Sequence, residues 1–337
     1  MKIKALLILT FISFSTFSYS WRSFSQFYCG ADAIGIGTAY VGDASSESGV
    51  CYNPAGLVQL FQTNKNLFFS YEVYSSFKLI DILAWNFKFD FDVFPFFFAG
   101  VLKEREAFSI SLENLFYSPE TDTEFYVRFL KFSFSYLLFD NLGLGVGVGP
   151  LFAMENNGFG VSFAMQGGIL YKPFENFQSG FSFIYPFEVR WSKTFYGKSL
   201  DENYYPILSF GAVYKVSKEI FLYLSSEFPF YNQIKFTVDG NDYSPAWIKS
   251  GDFYFKPSVG IRFLERITGG HLSVGFLLDH NLTEEKIVNQ YFLTLGFRGY
   301  GRNFRYYISF MDGYIISLFY RENTPRENIN ITLSFYF

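Results

Sequence analysis

The chain has 337 residues, of which 50% are hydrophobic, 23% are aromatic and only 17% are charged. Its 48 Phe and 26 Tyr exceed what a soluble core of this size needs. A transmembrane β-barrel does need them, because it turns an apolar wall to lipid and places aromatic girdles at both interfaces. The formal net charge of −4 argues against a nucleic-acid partner, which usually leaves a basic footprint.

The N-terminus has the pattern of a secretory signal peptide. Lys2 and Lys4 form a charged start, and the apolar run Ala5–Phe17 is too short to cross a bilayer as a helix. Ser18-Tyr19-Ser20 offers small residues to a signal peptidase, so we expect cleavage before Trp21. An uncleaved signal anchor is the alternative. No later charge-free apolar run reaches the ~18 residues of a helical span, so a closed barrel remains as the membrane-spanning structure.

Two cysteines, Cys29 and Cys51, precede the first predicted strand. Export into an oxidising compartment permits a disulfide between them, and two buried free thiols are the alternative. Gln26-Phe27-Tyr28 ahead of Cys29 is not the small-residue setting of a lipoprotein cysteine. We therefore expect no lipid anchor.

A segment rich in Gly, Ala and Ser follows the signal peptide. It runs over Gly30–Ala44 and continues to Asn53-Pro54-Ala55-Gly56-Leu57. Glycine allows close backbone approach and Asn-Pro favours a turn, so this composition suits a plug folded inside a narrow lumen. The turn could be static, or it could move and line a ligand path. The candidate residues for that moving plug and ligand path are Gly35, Gly37, Asn53, Pro54 and Gly56.

From about residue 66 onward, apolar and polar residues alternate with period two. Because successive side chains of a strand point to opposite faces, each such segment has one apolar and one polar wall. A soluble β-sandwich would have to hide more Phe than two facing sheets can bury. Two clear apolar faces are Leu130, Phe132, Phe134, Tyr136 and Leu138, and Ile329, Ile331, Leu333, Phe335 and Phe337.

The alternation marks about sixteen candidate strands, but about fourteen is the preferred number because of a parity argument. In bacterial barrels both termini face the periplasm and the long loops face outward. With sixteen strands the longest connections fall on the wrong side, and with fourteen they fall outside. The doubtful strands lie in Leu79–Leu102 and Phe304–Tyr320, where Asp312-Gly313 suggests a tight hairpin turn. The longest connections are Ser118–Thr123, Trp191–Asn203, Tyr231–Gly251 and Asn281–Val288.

The N-terminal motif carries a family resemblance. Gly30–Ala39 followed by Asn53–Leu57 resembles the N-terminal hatch of the FadL/TodX family of fatty-acid and hydrocarbon transporters, and equally the related PorV/PorQ-type outer-membrane proteins. Those groups share G-x-x-A-x-G-M-G-x-A and then N-P-A-G-L. Here Ile36 replaces the common Met and Asp32 the common Arg. The terminal Phe337 also resembles the signal that the barrel-insertion machinery reads.

The resemblance implies a barrel of fourteen strands with a hatch in its lumen. In the transporters, hydrophobic substrate is caught at the outer surface, passed to a pocket by hatch movement and released sideways into the membrane. PorV-type members instead receive exported proteins. The chain is shorter than typical fatty-acid transporters, which leaves little sequence for long outer loops.

A glycine stripe marks one predicted strand. Gly143, Gly145, Gly147 and Gly149 share its lumen face. A face without side chains gives room for a lateral exit path or for packing of the plug against the wall. Packing is the favoured interpretation. Three lumen-side residues could also meet a carboxylate head group, namely Gln166, His271 and Arg298.

The sequence contains no complete catalytic motif among those considered. The two histidines, His271 and His280, belong to no H-E-x-x-H motif, and no C-x-x-C or G-x-S-x-G motif occurs. Gly197-Lys198-Ser199 lacks the first glycine of a phosphate-binding loop, and Asp239–Asp242 lacks calcium-loop spacing. We expect no enzyme activity, cofactor or metal.

Together these patterns predict an all-β, transmembrane antiparallel β-barrel in three parts. These are a signal peptide (1–20), an N-terminal hatch or plug (21–65) and an outer-membrane barrel (66–337). The expected function is passive uptake of hydrophobic compounds, either fatty acids or hydrocarbons. The alternative is a scaffold that binds exported proteins. The expected partners are apolar small molecules, the lipid bilayer and the barrel-insertion machinery.

Overall fold

The structure is a computed structural model in which the N-terminal residues before Phe24 are not described, so the predicted signal peptide and its cleavage site lie outside the described residues. No helix among the described residues is long and apolar enough to cross a membrane. The described residues are 24–63, 67–76, 90–118, 125–155, 158–192, 199–245, 247–248, 252–264, 270–283, 285–301, 303–320 and 327–337.

The described chain forms one antiparallel sheet of 19 strands with a few short helices. The strands are β1 (Phe24–Gln26), β2 (Leu67–Ser76), β3 (Asp90–Lys103), β4 (Glu106–Tyr117), β5 (Phe125–Phe139), β6 (Leu142–Glu155), β7 (Gly158–Phe174), β8 (Phe177–Pro186), β9 (Val189–Trp191), β10 (Leu200–Asn203), β11 (Ile207–Lys215), β12 (Ile220–Pro229), β13 (Lys235–Val238), β14 (Asn241–Tyr243), β15 (Lys256–Leu264), β16 (His271–Leu282), β17 (Ile287–Tyr300), β18 (Phe304–Asp312) and β19 (Glu327–Tyr336). The helices are α1 (Ala31–Ile34), α2 (Gly49–Tyr52), α3 (Tyr314–Ser317) and the 3-10 helices Pro54–Thr63 and Tyr231–Gln233.

Fourteen of these strands form a closed barrel. The last strand, β19, pairs with the first barrel strand, β2, from Asn328 opposite Ser76 to Tyr336 opposite Phe68. The terminal Phe337 extends this closure, because its N–H donates to the carbonyl of Leu67 at 3.0 Å. The preferred prediction of fourteen strands is therefore confirmed, and the alternative of sixteen is wrong.

Side-chain alternation builds the barrel wall. On β5, Lys131, Ser133 and Ser135 are buried on the lumen side, whereas Phe132 and Phe134 are exposed on the outside. The last strand repeats this pattern, with its Asn, Thr and Ser side chains buried. Both faces agree with the faces predicted from the period of two.

The two ends of the barrel differ in the length of their connections. At one end, which we call the short-turn end, β3 and β4 are joined by Glu104-Arg105 and β5 and β6 by Asp140-Asn141. At the other, the long-loop end, the segments 187–206 and 230–255 join barrel strands. The predicted long connections Trp191–Asn203 and Tyr231–Gly251 belong to these segments. Asn281–Val288 is also at this end, but it is not a long connection, because Asn281 pairs with Val288 and only 283–286 join β16 and β17. The fourth, Ser118–Thr123, follows β4 at the same end, and all of it after Ser118 lies outside the described residues.

The predicted tight hairpin at Asp312-Gly313 is wrong. Asp312 pairs with Glu327, so a long connection separates β18 from β19. The Asp312 carboxylate instead accepts hydrogen bonds from the N–H groups of Tyr314 at 2.7 Å and Ile315 at 3.2 Å. Those contacts start helix α3, since an Asp at a helix start satisfies free backbone donors.

Four short strands extend the sheet at the long-loop end. Strand β9 pairs with both β7 and β10, β10 pairs with β13, and β13 pairs with β14. They belong to the described parts of the connections 187–206 and 230–255. These parts thus form a small sheet at the end of the barrel.

Candidate functional site: the barrel lumen

Residues 24–63, which we call the lumen segment, lie inside the barrel and contact its wall on several sides. Strand β1 bridges two wall strands, because Ser25 is paired with Asn281 of β16 and also with Tyr117 of β4. Helix α1 contacts β17, β18 and β19, and the 3-10 helix Pro54–Thr63 contacts β5, β6 and β7. The segment therefore spans the lumen.

Two predicted plug residues, Gly35 and Gly37, lie where the segment and the wall approach closely. A Cβ built on Gly35 would lie 2.6 Å from the Cα of Gly296 on β17. Gly37 has a φ of 68°, which favours glycine, and its N–H donates to the Thr294 hydroxyl at 2.9 Å. Any side chain at either position would push the segment off the wall.

Asn53 fixes the turn of the predicted Asn-Pro-Ala-Gly-Leu motif. Its side-chain amide donates to the carbonyls of Val41 and of Ile169 on β7, each at 3.0 Å. Its side-chain oxygen accepts from the Ala55 N–H at 3.1 Å. One buried side chain therefore joins two parts of the segment to the wall.

The other two motif residues also make close contacts. The Pro54 carbonyl accepts a hydrogen bond from the Ser135 hydroxyl on β5. A Cβ on Gly56 would lie 2.2 Å from the carbonyl oxygen of Ala44, so this glycine packs the segment against itself. The turn at Asn53–Leu57 is therefore packed against both the barrel wall and the rest of the lumen segment.

The glycine stripe of β6 faces the lumen as predicted, but its four members have different neighbours. Gly143 and Gly145 lie against the segment, with Ala55 backbone atoms 3.1 Å and 2.3 Å from a built Cβ. Gly147 faces Lys131, and Gly149 faces the Leu130 carbonyl of the neighbouring strand. The first two glycines give room to the lumen segment. Their role in a lateral gate stays a prediction.

A buried lysine of the wall holds the middle of the segment. The Lys131 ammonium contacts Glu113 at 2.6 Å, the Gln166 side-chain oxygen at 2.7 Å and the Val50 carbonyl at 2.8 Å. The Gln166 amide in turn donates to the Cys51 carbonyl at 3.0 Å. Gln166, predicted to meet a carboxylate ligand, thus binds the segment instead.

A second buried lysine holds the start of the segment. The Lys256 ammonium lies 3.1 Å from Glu227 and 3.0 Å from Asp279. It also donates to the Gln26 side-chain oxygen at 2.7 Å, and the Tyr28 hydroxyl donates to Asp279 at 2.9 Å.

A third anchor uses a carboxylate without a lysine. Glu72 of β2 accepts from the Gly30 N–H at 2.9 Å and from the Asn330 amide at 2.7 Å. None of the three anchors was predicted from the sequence. The available signal was Lys131, Lys256 and Glu72, charged residues in the lumen-facing register among small polar ones.

Cys29 and Cys51 are joined by a disulfide, with a Cα–Cα distance of 6.7 Å. The Tyr52 hydroxyl supports this link by donating to the Cys29 carbonyl at 2.9 Å. Burial raises the pKa of the Tyr52 phenol well above its ordinary value, which keeps the donor protonated. The disulfide therefore ties the two ends of the segment's central part together.

Apolar side chains fill the lumen at the long-loop end, and we call this group the aromatic cap. Phe24 of β1 is fully buried at its centre, with ring centroids 5.7 Å from Phe116, 6.0 Å from Tyr204 and 6.2 Å from Tyr205. Other members include Phe125, Trp191, Tyr231, Ile234 and Phe236.

At the short-turn end the lumen is polar and open. A cavity of about 290 Å³ lies there, and two of the predicted head-group residues, His271 and Arg298, line it. His280, by contrast, lies in the long-loop half, where its Nδ1 is 3.1 Å from the Tyr231 hydroxyl. The two histidines are thus not part of one site.

No family model and no curated protein matches the sequence, but solved structures match the fold. A FadL homologue from Pseudomonas aeruginosa is 12% identical with a TM-score of 0.67, covering 94% of this chain and 100% of its own. The toluene transporter TodX from Pseudomonas putida is 10% identical with a TM-score of 0.65, covering 93% and 99%.

The toluene transporter TbuX from Ralstonia pickettii is 11% identical with a TM-score of 0.62, covering 92% of this chain and 98% of its own. At such identities the likeness concerns the fold. It extends over 92–94% of the chain. The chain therefore has the FadL/TodX-type fold, as its N-terminal motif predicted.

Proposed function

We propose that this chain is an outer-membrane barrel for the passive uptake of hydrophobic compounds. The observation that carries the proposal is the aromatic cap, an apolar group of rings at one end of a lumen whose other end is polar. The outward wall supports insertion in lipid, because its exposed positions are apolar residues such as Phe132, Val146 and Leu295. The likeness to solved toluene transporters agrees with this cargo class.

In this proposal cargo enters between the rings of the cap. Hydrocarbons and the chains of fatty acids both gain by leaving water for such an apolar environment. Aromatic cargo would also stack on the rings around Phe24. Transport requires no covalent chemistry, so we propose no enzyme activity.

The lumen segment is the gate in this proposal. It occupies the lumen behind the cap, and Phe24 belongs to the cap and to the segment at once. Cargo that displaces Phe24 would pull on β1 and then on the anchored turns. Movement of the lumen segment is therefore coupled to cargo binding through β1.

Uptake by a strain that lacks its own transporter tests the proposal. We expect cells that express the chain to accumulate radiolabelled toluene or oleate faster than cells with an empty vector. Mass spectrometry of barrels purified in mild detergent should show the preferred cargo as enriched apolar molecules. Equal uptake in both strains, together with empty purified barrels, would refute the proposal.

A scaffold for exported proteins is the second candidate. The observation in its favour is that the lumen is filled. A scaffold needs no route for cargo through the lumen, so the aromatic cap and the lumen segment would both stay in place. Apolar side chains near the long-loop end, such as Phe253 and Phe319, are also strongly exposed. Crosslinking in intact cells distinguishes the two candidates. A partner protein should be recovered with a scaffold, whereas a transporter does not need one.

A further inference from the structure

The cavity at the short-turn end has the composition of a polar binding site. It measures about 290 Å³ and opens to solvent at the turns that follow β7 and β11. Most of its lining is charged or amide side chain, with few apolar groups. The charged residues are Asp43, Lys172, Glu175, Lys215, Arg262 and Arg298.

Positive charge exceeds negative charge in this lining. Of its two arginines, Arg262 is paired with Asp43 at 3.4 Å. Within the described part of the chain, no carboxylate lies within 4.0 Å of Lys172, Lys215 or Arg298. Three cations therefore face the cavity without a contacting counter-charge.

Two buried polar atoms of the lining have no hydrogen-bond partner in the described structure. They are Nε of Arg298 and Nδ1 of His271. Buried polar atoms are almost always satisfied, so these two atoms leave unused hydrogen-bonding capacity beside the cavity.

Aromatic rings hold Arg298 in place. Its guanidinium lies 4.8 Å from the ring centre of Tyr300 and 5.1 Å from that of Tyr307. The Tyr300 hydroxyl also lies 3.3 Å from Nε2 of His271. Stacking orients the arginine without using its N–H donors, which stay available for an oxyanion.

We infer that this cavity is an oxyanion site, which takes a carboxylate or phosphate group at the short-turn end of the lumen. Arg298 supplies directed donors, and Lys172 and Lys215 supply charge at the rim. The site extends the head-group role considered for His271 and Arg298 to a complete cluster at the short-turn end, and it goes beyond the proposed function because it requires neither the aromatic cap nor an apolar chain. Two sources can supply the oxyanion, a free anion from solution and the head group of a lipid.

Titration of the purified full-length barrel in neutral detergent tests this inference. The probes are inorganic phosphate and a short-chain phosphatidic acid, each followed by calorimetry. Arg298→Gln removes the central donor, and Lys215→Gln removes a rim charge without touching the aromatic stack. The matched control is Arg105→Gln, which changes an exposed arginine at the same end that pairs with Asp140 at 2.7 Å.

We expect saturable binding of at least one probe to the parent barrel. Arg298→Gln should weaken it about tenfold or more, Lys215→Gln by a smaller factor, and Arg105→Gln by less than about twofold. Binding of inorganic phosphate identifies a free anion as the source, and binding of phosphatidic acid alone identifies a lipid. If Arg298→Gln fails to fold, the affinity of the Lys215→Gln barrel, compared with the parent, still tests the inference.

Two results would overturn the inference. One is no saturable binding of either probe at millimolar concentration. The other is an equal affinity in the parent, Lys215→Gln and Arg105→Gln barrels, because binding would then not depend on the cavity.

Discussion

The two halves of the lumen are built from opposite chemistry. At the long-loop end, β1 carries Phe24 into a cap of packed rings. At the short-turn end, the wall carries Arg262, Arg298 and His271 around an open cavity. The barrel is therefore polarised along its axis, with an apolar lining at one end of the lumen and a polar, mostly cationic lining at the other.

A belt of buried anchors separates the halves. Lys131, Lys256 and Glu72 hold the lumen segment by its backbone and by the side chains of its first residues. Because a buried charge is costly without its partners, these anchors bind strongly only as complete sets. Loss of one member of a set should therefore weaken the hold on the segment by more than a single hydrogen bond.

The largest expected loss of stability comes from breaking the belt. Lys131→Met leaves Glu113 buried without its cation, and we expect a loss of about 4 kcal/mol in unfolding free energy. Urea unfolding of the purified barrel, followed by tryptophan fluorescence, measures it. The double variant Lys131→Met/Glu113→Gln should recover part of the loss. A loss below about 1 kcal/mol would mean that the pair does not hold the belt together.

The next largest loss of stability is expected in the aromatic cap. Phe24→Ala removes a fully buried ring and should lower the unfolding free energy by about 3 kcal/mol. It should also raise the passage of apolar dyes through barrels in vesicles, because the cap is opened. Phe174→Ala, which changes a strongly exposed ring, is the control. Unchanged dye passage would show that the cap does not close the long-loop end.

A smaller effect is expected where the segment meets the wall. Gly145→Ala places a Cβ 2.3 Å from the Ala55 nitrogen and should cost about 2 kcal/mol by overpacking. Gly167→Ala on neighbouring β7 meets nothing within 4 Å and serves as its control. Equal unfolding curves for the two variants would contradict the close packing of the stripe.

The smallest effect belongs to the exposed ion pair at the short-turn end. Arg105 and Asp140 are 2.7 Å apart, but their side chains are 51% and 90% exposed. Arg105→Gln should therefore change the unfolding free energy by less than about 1 kcal/mol. The same unfolding assay checks it, and a loss as large as that of Lys131→Met would contradict the role given to burial.

The alternation of the wall could be predicted because it depends on single strands. Lys131 and Phe132 fall on opposite faces whatever the rest of the chain does, and the parity of the connections selected fourteen strands. The anchors could not be predicted in this way. Glu113, Lys131 and Gln166 lie on β4, β5 and β7, so their contact depends on side chains that reach across several strands.

Of the residues that line the cavity, only His271 and Arg298 were singled out from the sequence, as candidates to meet a carboxylate head group. Asp43 of the segment and Arg298 of β17 are far apart in sequence, and only the path of the segment brings them to one cavity. The hairpin at Asp312-Gly313 failed because a dipeptide that favours a turn also starts a helix when its Asp accepts backbone hydrogen bonds. Local patterns therefore predicted the wall better than the contents of the lumen.

Locking the lumen segment to the wall tests the central claim, that uptake requires the segment to move. Ser25 and Asn281 are directly paired residues of β1 and β16, and cross-strand partners lie within the Cα distance that a disulfide spans. Radiolabelled toluene uptake is measured in cells with Ser25→Cys/Asn281→Cys, before and after a reductant, and with the parent chain under the same treatment. We predict that the oxidised lock abolishes uptake and that reduction restores it to the parent rate. Uptake by the fully oxidised variant at the parent rate would contradict the claim.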